Sequence, residues 1–235
     1  MNTDSIENSH HEPLPLDIFP DLPEKCRLEP RRVTRPTHPK RPRLRLIARR
    51  INTIGALDRV PSGYGAEVDL RDDPHGGIYT QRGPFSLGEN FWHFMSRYSK
   101  HRRGPLILNV KSERVELPAL VALEEYGIKN YFFLDCTFPM LELLSNLGVH
   151  NVGIRLSEFA PIEFARLMAG RATWICADTK VSQTIDLSTV TELRSLGYKI
   201  CLSSPDSLEA FTAHLAEEDI IPDAILCDAA SLPRS

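Results

Sequence analysis

From residue 44 onward, short apolar runs alternate with segments of helical period, and few folds accommodate such an alternation. Eight runs have the length and composition of β-strands: LRLIARR, AEVDLR, LILNVK, NYFFLD, NVGIRL, ATWICAD, KICLSS and AILCD. Helical period marks six stretches between them: SLGENFWHFMSRYS, VELPALVALEEYG, TFPMLELLSNLG, PIEFARLMAG, LSTVTELRSLG and SLEAFTAHLAEE. Strand followed by helix, repeated along the chain, predicts a parallel sheet covered by helices.

Eight such strands predict a compact (β/α)8 TIM barrel of the α/β class over residues 44–235. This segment is at or just below the ~200-residue lower end of the usual barrel length. The short segment after the last strand leaves no obvious eighth helix. A doubly wound open sheet is the alternative, and it is less favoured because no glycine-rich phosphate loop follows the first strand.

Residues 1–43 differ from the rest because they are rich in proline and charge and show neither helical nor strand period. They predict a disordered or extended tail. The cluster of basic residues from Arg31 to Arg45 would suit phosphate-bearing partners, but a solvated basic linker is the simpler interpretation. The net charge of −3 gives no overall attraction to nucleic acid, so no nucleic-acid partner is expected.

The amino-terminal residues lack the basic start and apolar core of a signal peptide, and no apolar run approaches the ~20 residues of a membrane span. We therefore expect a cytoplasmic protein without a membrane span. The five cysteines are scattered, and Cys176, Cys201 and Cys227 fall inside strand-like runs. These are predicted to be buried free thiols, not a disulfide framework or a zinc site. No pattern in the sequence predicts an oligomeric state.

In a barrel, the functional side chains lie at the carboxyl ends of the strands and in the loops that follow. Polar residues occupy that end of every predicted strand: Arg49, Arg50 and Asn52; Glu67, Asp69 and Arg71; Asn109 and Lys111; Asp135; Arg155, Ser157 and Glu158; Asp178; Ser203 and Ser204; Asp228. Part of this pattern needs no function, because each strand must become a polar loop. Six residues are predicted to bind substrate: Asn52, Arg71, Asp135, Arg155, Glu158 and Asp178.

Glu67 and Asp69 form the most informative pair, because residues two apart on a strand face the same side. Two like charges this close repel unless a cation or a positive side chain shares them. The pair is therefore a candidate site for Mg²⁺ or Ca²⁺, which prefer oxygen ligands. An ion-paired structural cluster with nearby arginines is supported equally well by the spacing.

Asn109 and Lys111 repeat the two-residue spacing on the next strand. Asn109 would supply a neutral oxygen ligand to the cation, and Lys111 would supply an ammonium group for a phosphate.

At this point the residues carry a family resemblance. The run LIARRINTIGALDRVPSGYGAEVDLR resembles the opening of the glycerophosphodiester phosphodiesterase and phosphatidylinositol-specific phospholipase C superfamily. There, a first strand ending in His-Arg is followed by a short helix and a strand carrying Glu-x-Asp. LILNVK resembles the third strand of that superfamily, and YFFLD with IRLSEF is similar to a bacterial subgroup, so the resemblance covers about residues 44–180.

The resemblance implies that Glu67 and Asp69 bind a divalent cation, commonly Mg²⁺ or Ca²⁺, and that Arg50 and Lys111 contact phosphate. It also implies a phosphodiester or phosphorylated small molecule as the ligand. Asn109 lies at or near the position where the family often has a third carboxylate, so a metal site here would carry less charge.

The chain departs from the family at both histidines that serve there as general acid and base. Arg49 stands where the family has the first histidine, and Arg82 and Gly83 stand where it has His-Asp before a turn. Arginine remains charged and cannot transfer a proton, although it binds phosphate well. Among the eight histidines, only His75 lies in a loop at the expected active face, where a solvated turn residue in DDPHGG is the alternative interpretation.

Three functions follow from these residues. The first is phosphodiester cleavage, with metal on Glu67 and Asp69, with charge stabilisation by Arg49, Arg50 and Lys111, and with proton transfer by His75 or a metal-bound water. The second is a noncatalytic descendant that binds a phosphorylated ligand in the same place. The third is a biosynthetic enzyme of changed chemistry in the same barrel.

Overall fold

The computed structural model describes residues 44–233, except residues 74, 87, 101–103, 158–159, 179–184 and 205–206. The predicted tail, residues 1–43, and the predicted substrate-binding residue Glu158 lie outside the described residues. No helix in the described part of the chain is both long and apolar enough to cross a membrane.

Eight parallel strands close into a barrel, as predicted. The described residues form ten strands: β1 (Arg45–Ala48), β2 (Gly65–Asp72), β3 (Ile78–Thr80), β4 (Glu89–Asn90), β5 (Leu106–Val110), β6 (Tyr131–Leu134), β7 (Val152–Leu156), β8 (Trp174–Asp178), β9 (Lys199–Ser203) and β10 (Ala224–Cys227). Around the barrel the order is β1, β2, β5, β6, β7, β8, β9, β10. Because β1 pairs with both β2 and β10, the alternative of an open doubly wound sheet is wrong.

Seven α-helices connect these strands: α1 (Ile54–Arg59), α2 (Phe91–Ser99), α3 (Glu116–Glu125), α4 (Phe138–Asn146), α5 (Ile162–Leu167), α6 (Leu187–Ser195) and α7 (Leu208–Glu217). Each of the six predicted helical stretches contains one of them, and α1 is the short helix that the family resemblance implies. In the described residues after β10, a 3₁₀ turn at Ala229–Ser231 takes the place of an eighth helix.

Side-chain caps fix where several helices begin. The side-chain oxygens of Thr53, Asn90, Asp186 and Ser207 each accept a main-chain N–H three residues further on. Such caps satisfy an N–H group that has no partner inside the helix. They mark where α1, α2, α6 and α7 begin.

A small antiparallel extension was not predicted. β2 continues past the barrel rim to Asp72 and turns back into β3, which pairs with β4. The turn is held by Asp73, whose Oδ1 accepts the main-chain N–H groups of His75 and Gly77 at 2.9 and 2.7 Å. β3 and β4 are too short to show an alternating pattern, which is why the sequence did not reveal them.

The apolar core has two layers, because alternate residues of each strand face opposite sides of the barrel wall. The larger layer lies between the strands and the helices and includes Leu57, Phe94 and Leu144. The inner layer fills the barrel: Ile47, Ile107, Phe132, Leu134, Trp174, Cys176, Cys201 and Ala224. Cys176, Cys201 and Cys227 are buried free thiols, as predicted, whereas Cys26 lies outside the described residues.

Stacked rings form part of the inner layer. The rings of Phe132 and Trp174 lie 4.6 Å apart between centroids. Gly153 makes room for them, since a Cβ atom there would lie 3.0 Å from the Phe132 ring. The barrel interior is therefore packed with apolar side chains below the polar residues at the carboxyl ends of the strands.

Candidate functional site at the barrel mouth

Glu67 and Asp69 converge at the mouth, as the spacing predicted. Both are buried, with 4% and 2% exposure. Between them lies the side-chain amide of Asn109, which β5 places opposite Asp69. Asn109 Nδ2 donates to Glu67 Oε1 at 2.8 Å and to Asp69 Oδ1 at 3.0 Å. We call these three residues the carboxylate cluster.

The outer oxygens of both carboxylates also accept hydrogen bonds. The main-chain N–H of Arg50 donates to Glu67 Oε2 at 2.7 Å, and Asn52 Nδ2 donates to Asp69 Oδ2 at 2.8 Å. Asn52 Oδ1 in turn accepts the main-chain N–H of Asp69 at 2.8 Å. Arg50 has a left-handed backbone, with φ of 57°, which is uncommon outside glycine and concentrates at functional sites.

The cluster changes the acidity of Glu67. Burial raises the pKa of its carboxyl, and the negative charge of Asp69 raises that pKa further. The hydrogen bonds from Arg50 and Asn109 act in the opposite direction without cancelling these effects.

Lys111 holds the Asn109 amide from the other side. Its Nζ donates to Asn109 Oδ1 at 2.9 Å and lies 3.8 Å from Asp69 Oδ1. Ammonium can only donate and carboxylate can only accept, so the amide oxygen must face Lys111 and the amide nitrogen must face the carboxylates. In this arrangement the amide oxygen of Asn109 faces Lys111, and the role of Asn109 as an oxygen ligand to a cation stays a prediction.

The donor set of the cluster does not fit a divalent cation. A cation shared by Glu67 and Asp69 would have to lie where the Asn109 amide nitrogen lies. Within the described residues, no three His, Cys, Asp or Glu side chains are grouped so that they could hold a metal ion. The predicted Mg²⁺ or Ca²⁺ therefore finds no support in the arrangement of the ligands.

A second group of charges spans β6, β7 and β8. Arg155 donates from Nε and Nη2 to Asp135 at 2.8 and 3.0 Å, and from Nη1 to both Asp178 oxygens at 3.2 and 3.1 Å. Lys111 Nζ lies 3.4 Å from Asp135 Oδ2 and so links this group to the carboxylate cluster. We call Asp135, Arg155 and Asp178 the ionic cluster.

Ionic pairing controls the acidity of this second cluster. Burial raises the pKa of Asp135, but Arg155 and Lys111 outweigh it and hold that pKa below its usual value. Asp135 also has a left-handed backbone, with φ of 63°. All three predicted substrate-binding residues of this cluster lie at the mouth, with their charges directed at one another.

Arg49 is turned toward the opposite side of the mouth. Its Nη2 donates to Ser203 Oγ at 3.2 Å and to the Ser204 carbonyl at 2.5 Å, and its Nε lies 3.4 Å from Asp228 Oδ1. These bonds tie the end of β1 to the ends of β9 and β10. The predicted role of Arg49 in stabilising a phosphate therefore competes with a structural role that the geometry displays.

Arg71 is positioned by main-chain oxygens. Its Nε donates to the Arg82 carbonyl at 2.9 Å and its Nη1 to the Lys111 carbonyl at 3.1 Å. Within the described part of the chain, neither Arg71 nor Arg50 forms an ion pair with a carboxylate. Both guanidinium groups therefore carry a positive charge near the carboxylate cluster without a carboxylate partner among the described residues.

His75 lies in the turn between β2 and β3 and is exposed. Asp72 lies three residue steps beyond Asp69 along the extended strand, about 10 Å at the usual rise, and the turn begins beyond that point. This position agrees with the interpretation of His75 as a solvated turn residue, and proton transfer by His75 remains a prediction.

A buried carboxyl group behind the mouth was not predicted from the sequence. Glu116, the first residue of α3, is completely buried and lies beside the Cys136 thiol. Burial raises the pKa of Glu116. Burial also raises the pKa of the Cys136 thiol, and the negative charge of Glu116 raises it further. The sequence gives no signal of this burial, because an acidic residue in the first turn of a helix is usually a solvated one.

The fold and mouth define a (β/α)8 barrel with a polar rim over an apolar floor. No family model matches the chain, and no curated protein matches it in sequence. Solved structures do match it in fold. A glycerophosphodiester phosphodiesterase from Parabacteroides distasonis has a TM-score of 0.60 at 14% identity, covering 80% of this chain and 94% of that one.

Two further solved structures give the same result. A glycerophosphodiester phosphodiesterase from Agrobacterium tumefaciens has a TM-score of 0.61 at 14% identity, covering 80% of this chain and 98% of that one. An Oleispira antarctica phosphodiesterase, in complex with the product sn-glycerol-3-phosphate, has a TM-score of 0.62 at 14% identity, covering 80% and 94%. The chain therefore has the fold of the glycerophosphodiester phosphodiesterases, which confirms the predicted resemblance at the level of the fold.

Proposed function

We propose that this chain is a phosphodiesterase-like barrel that binds a phosphorylated small molecule at its mouth. The observation that carries the proposal is the Arg71 guanidinium, which two main-chain carbonyls hold in place without a carboxylate partner among the described residues. A guanidinium held in this way has N–H donors left for phosphate oxygens, which it binds in a fork geometry.

Arg50 and Lys111 would complete the phosphate site. Arg50 follows β1 and has an exposed side chain, and its main-chain N–H is already fixed to Glu67. Lys111 lies between the carboxylate cluster and the ionic cluster, so its charge reaches the middle of the mouth. A phosphate bound between the two side chains and Arg71 would be attracted by three positive charges.

The ionic cluster would bind the alcohol portion of the ligand. Asp135 and Asp178 offer carboxylate oxygens to hydroxyl groups, and Arg155 offers N–H donors. Asn52, already bonded to Asp69, lies beside the carboxylate cluster and would extend this polar surface. A polyol or glycerol phosphate has the pattern of groups that such a surface recognises.

Binding is favoured over hydrolysis by the residues that replace the family histidines. Arg49 and Arg82 cannot act as general acid or base, and loss of one such group typically costs ~10² to 10⁴-fold in rate. The fold similarity to phosphodiesterases supports a phosphodiester as an alternative ligand, with cleavage as the second candidate function. A similar barrel, from Oleispira antarctica, was solved with sn-glycerol-3-phosphate.

Phosphorus NMR tests both functions together. Glycerophosphodiesters, phosphoinositides and sn-glycerol-3-phosphate would be added to the wild type, to Arg71→Gln and to Arg166→Gln, a matched control at a surface arginine that pairs with Glu192. We expect one ligand resonance to broaden with wild type and Arg166→Gln, and at least tenfold weaker binding by Arg71→Gln. New product resonances would establish cleavage in place of simple binding, and equal affinity in all three proteins would overturn the role of Arg71.

A further inference from the structure

We infer that the Asn109 amide and the Lys111 ammonium together take the place of a divalent cation between Glu67 and Asp69. The barrel mouth is then assembled without metal. This inference does not depend on which ligand the mouth binds, because it concerns the contacts that the carboxylate cluster makes within the chain.

The first argument is the match between donors and acceptors. An amide group has two N–H donors in fixed directions, and those of Asn109 reach one oxygen of each carboxylate, at 2.8 and 3.0 Å. A shared cation would relieve the repulsion between the two carboxylates by charge. Here the same two oxygens are bridged by hydrogen bonds from one neutral group.

The second argument is that Lys111 fixes the amide orientation and adds the missing charge. The ammonium donates to the amide oxygen at 2.9 Å and lies 3.8 Å from Asp69 Oδ1. If the amide turned over to offer its oxygen to a cation, its N–H₂ group would face the ammonium, donor against donor. Cation binding would therefore require Lys111 to leave its position as well.

The third argument is that the cluster is closed to further ligands. Glu67, Asp69 and Asn109 are all buried, and the outer carboxylate oxygens already accept N–H groups from Arg50 and Asn52. Ca²⁺ takes six to eight oxygen ligands, and Mg²⁺ takes six. The cluster cannot offer such a set while its hydrogen bonds remain in place.

Replacing the amide by a carboxylate should reverse this situation. Asn109→Asp removes both N–H donors and puts a third carboxylate beside Glu67 and Asp69, and a bound cation would release Lys111 to pair with Asp135. Calorimetric titration of chelator-treated protein with CaCl₂ and MgCl₂ would compare wild type, Asn109→Asp and Asn146→Asp. Asn146 is the exposed last residue of α4 and controls for the added charge.

We expect no saturable binding at the mouth of the wild type or of Asn146→Asp in millimolar CaCl₂ or MgCl₂. We expect Asn109→Asp to bind Ca²⁺ saturably, at least tenfold more tightly than any residual binding by the wild type. Wild-type binding that disappears in Asp69→Asn would overturn the inference. Failure of a folded Asn109→Asp to bind either ion would also overturn it, because Asn109 would then not be what excludes the cation.

A second measurement uses the wild type alone and does not require any variant to fold. The side-chain ¹H–¹⁵N resonances of Asn109, assigned by triple-resonance NMR, should exchange slowly with solvent and should stay unmoved when Ca²⁺ or Mg²⁺ is added. A saturable shift or loss of these resonances would mean that the ion displaces the amide, and the inference would fail. Unmoved resonances alongside ion binding elsewhere would support it.

Discussion

The two halves of the mouth stabilise buried carboxylates in opposite ways. On β2 and β5, Glu67 and Asp69 share a neutral amide, and the pKa of Glu67 is raised. On β6 to β8, Asp135 shares a guanidinium with Asp178, and its pKa is lowered. Two carboxyls at the same mouth thus have pKa values shifted in opposite directions: burial and the charge of Asp69 raise that of Glu67, whereas Arg155 and Lys111 outweigh burial at Asp135.

The difference suggests a division of roles. The ionic cluster consists of partly exposed ion pairs between Arg155 and two carboxylates. A ligand hydroxyl can form a hydrogen bond with these carboxylates without leaving a charge unpaired. The carboxylate cluster is buried and fully bonded, so it serves to hold the ends of β1, β2 and β5 together. Breaking each cluster separately tests this division, and the expected effects decrease in the order given below.

The largest effect is expected from Asn109→Leu. This change leaves Glu67 and Asp69 buried and facing each other with no donor between them. Removing one partner of a buried charged group typically costs about 3 to 5 kcal/mol. Urea unfolding followed by circular dichroism would measure the loss. Asn146→Leu, at the exposed end of α4, is the control, and an equal loss in both would show that the amide does not hold the carboxylates.

A smaller loss is expected from Arg155→Met in the ionic cluster. Asp135 and Asp178 would lose their shared partner, but their side chains are 27% and 46% exposed and water can replace part of the interaction. We expect a loss of about 1 to 3 kcal/mol in the free energy of unfolding, below the value for fully buried pairs. Arg166→Met, which removes a surface ion pair, should cost less than about 1 kcal/mol.

The effect of Arg155→Met on the free energy of unfolding should depend on pH, and the sign of this dependence follows from the lowered pKa of Asp135. The ionised Asp135 contributes stability above its unfolded pKa of about 3.9, and this contribution is lost as pH falls through its lower folded pKa. Wild type should therefore lose more stability than Arg155→Met between about pH 6 and pH 3, as far as this group is concerned. Parallel pH profiles of the two proteins would mean that Arg155 is not what lowers the pKa of Asp135.

The smallest effect, and one of opposite sign, is expected from Glu116→Gln. Glu116 has a raised pKa without a cation beside it, so its stability contribution is full below its unfolded pKa and is lost as pH rises through its folded pKa. Glutamine keeps the shape and stays neutral. We expect a gain of about 1 kcal/mol at neutral pH that vanishes in acid, measured by urea unfolding at several pH values. A loss at neutral pH would show that the ionised carboxylate is needed.

Much of this architecture could be predicted from local pattern. The eight barrel strands and six of the helices follow from hydrophobic period, and the convergence of Glu67 and Asp69 follows from the two-residue repeat of a strand. The hairpin of β3 and β4 could not be predicted, because three-residue and two-residue strands have no period to detect.

The partners of the mouth residues were harder to predict than their positions. Arg49 bonds to Ser203, which is 154 residues away in sequence, and no spacing rule connects such distant positions. The direction of the Asn109 amide depends on Lys111 approaching from the same strand, so only the assembled mouth decides whether asparagine offers its oxygen or its nitrogen. The burial of Glu116 likewise depends on how α3 packs beside the loop after β6.

The way the barrel closes also bears on how the chain is made. β1 is among the first described residues to be synthesised, yet one of its two neighbours is β10, the last strand. Until β10 emerges from the ribosome, β1 and β9 each present an unpaired edge, and such edges invite pairing with other chains. The nascent protein therefore depends on β10 for solubility as well as for shape, and a chaperone that covers two sheet edges would have to remain until β10 has emerged.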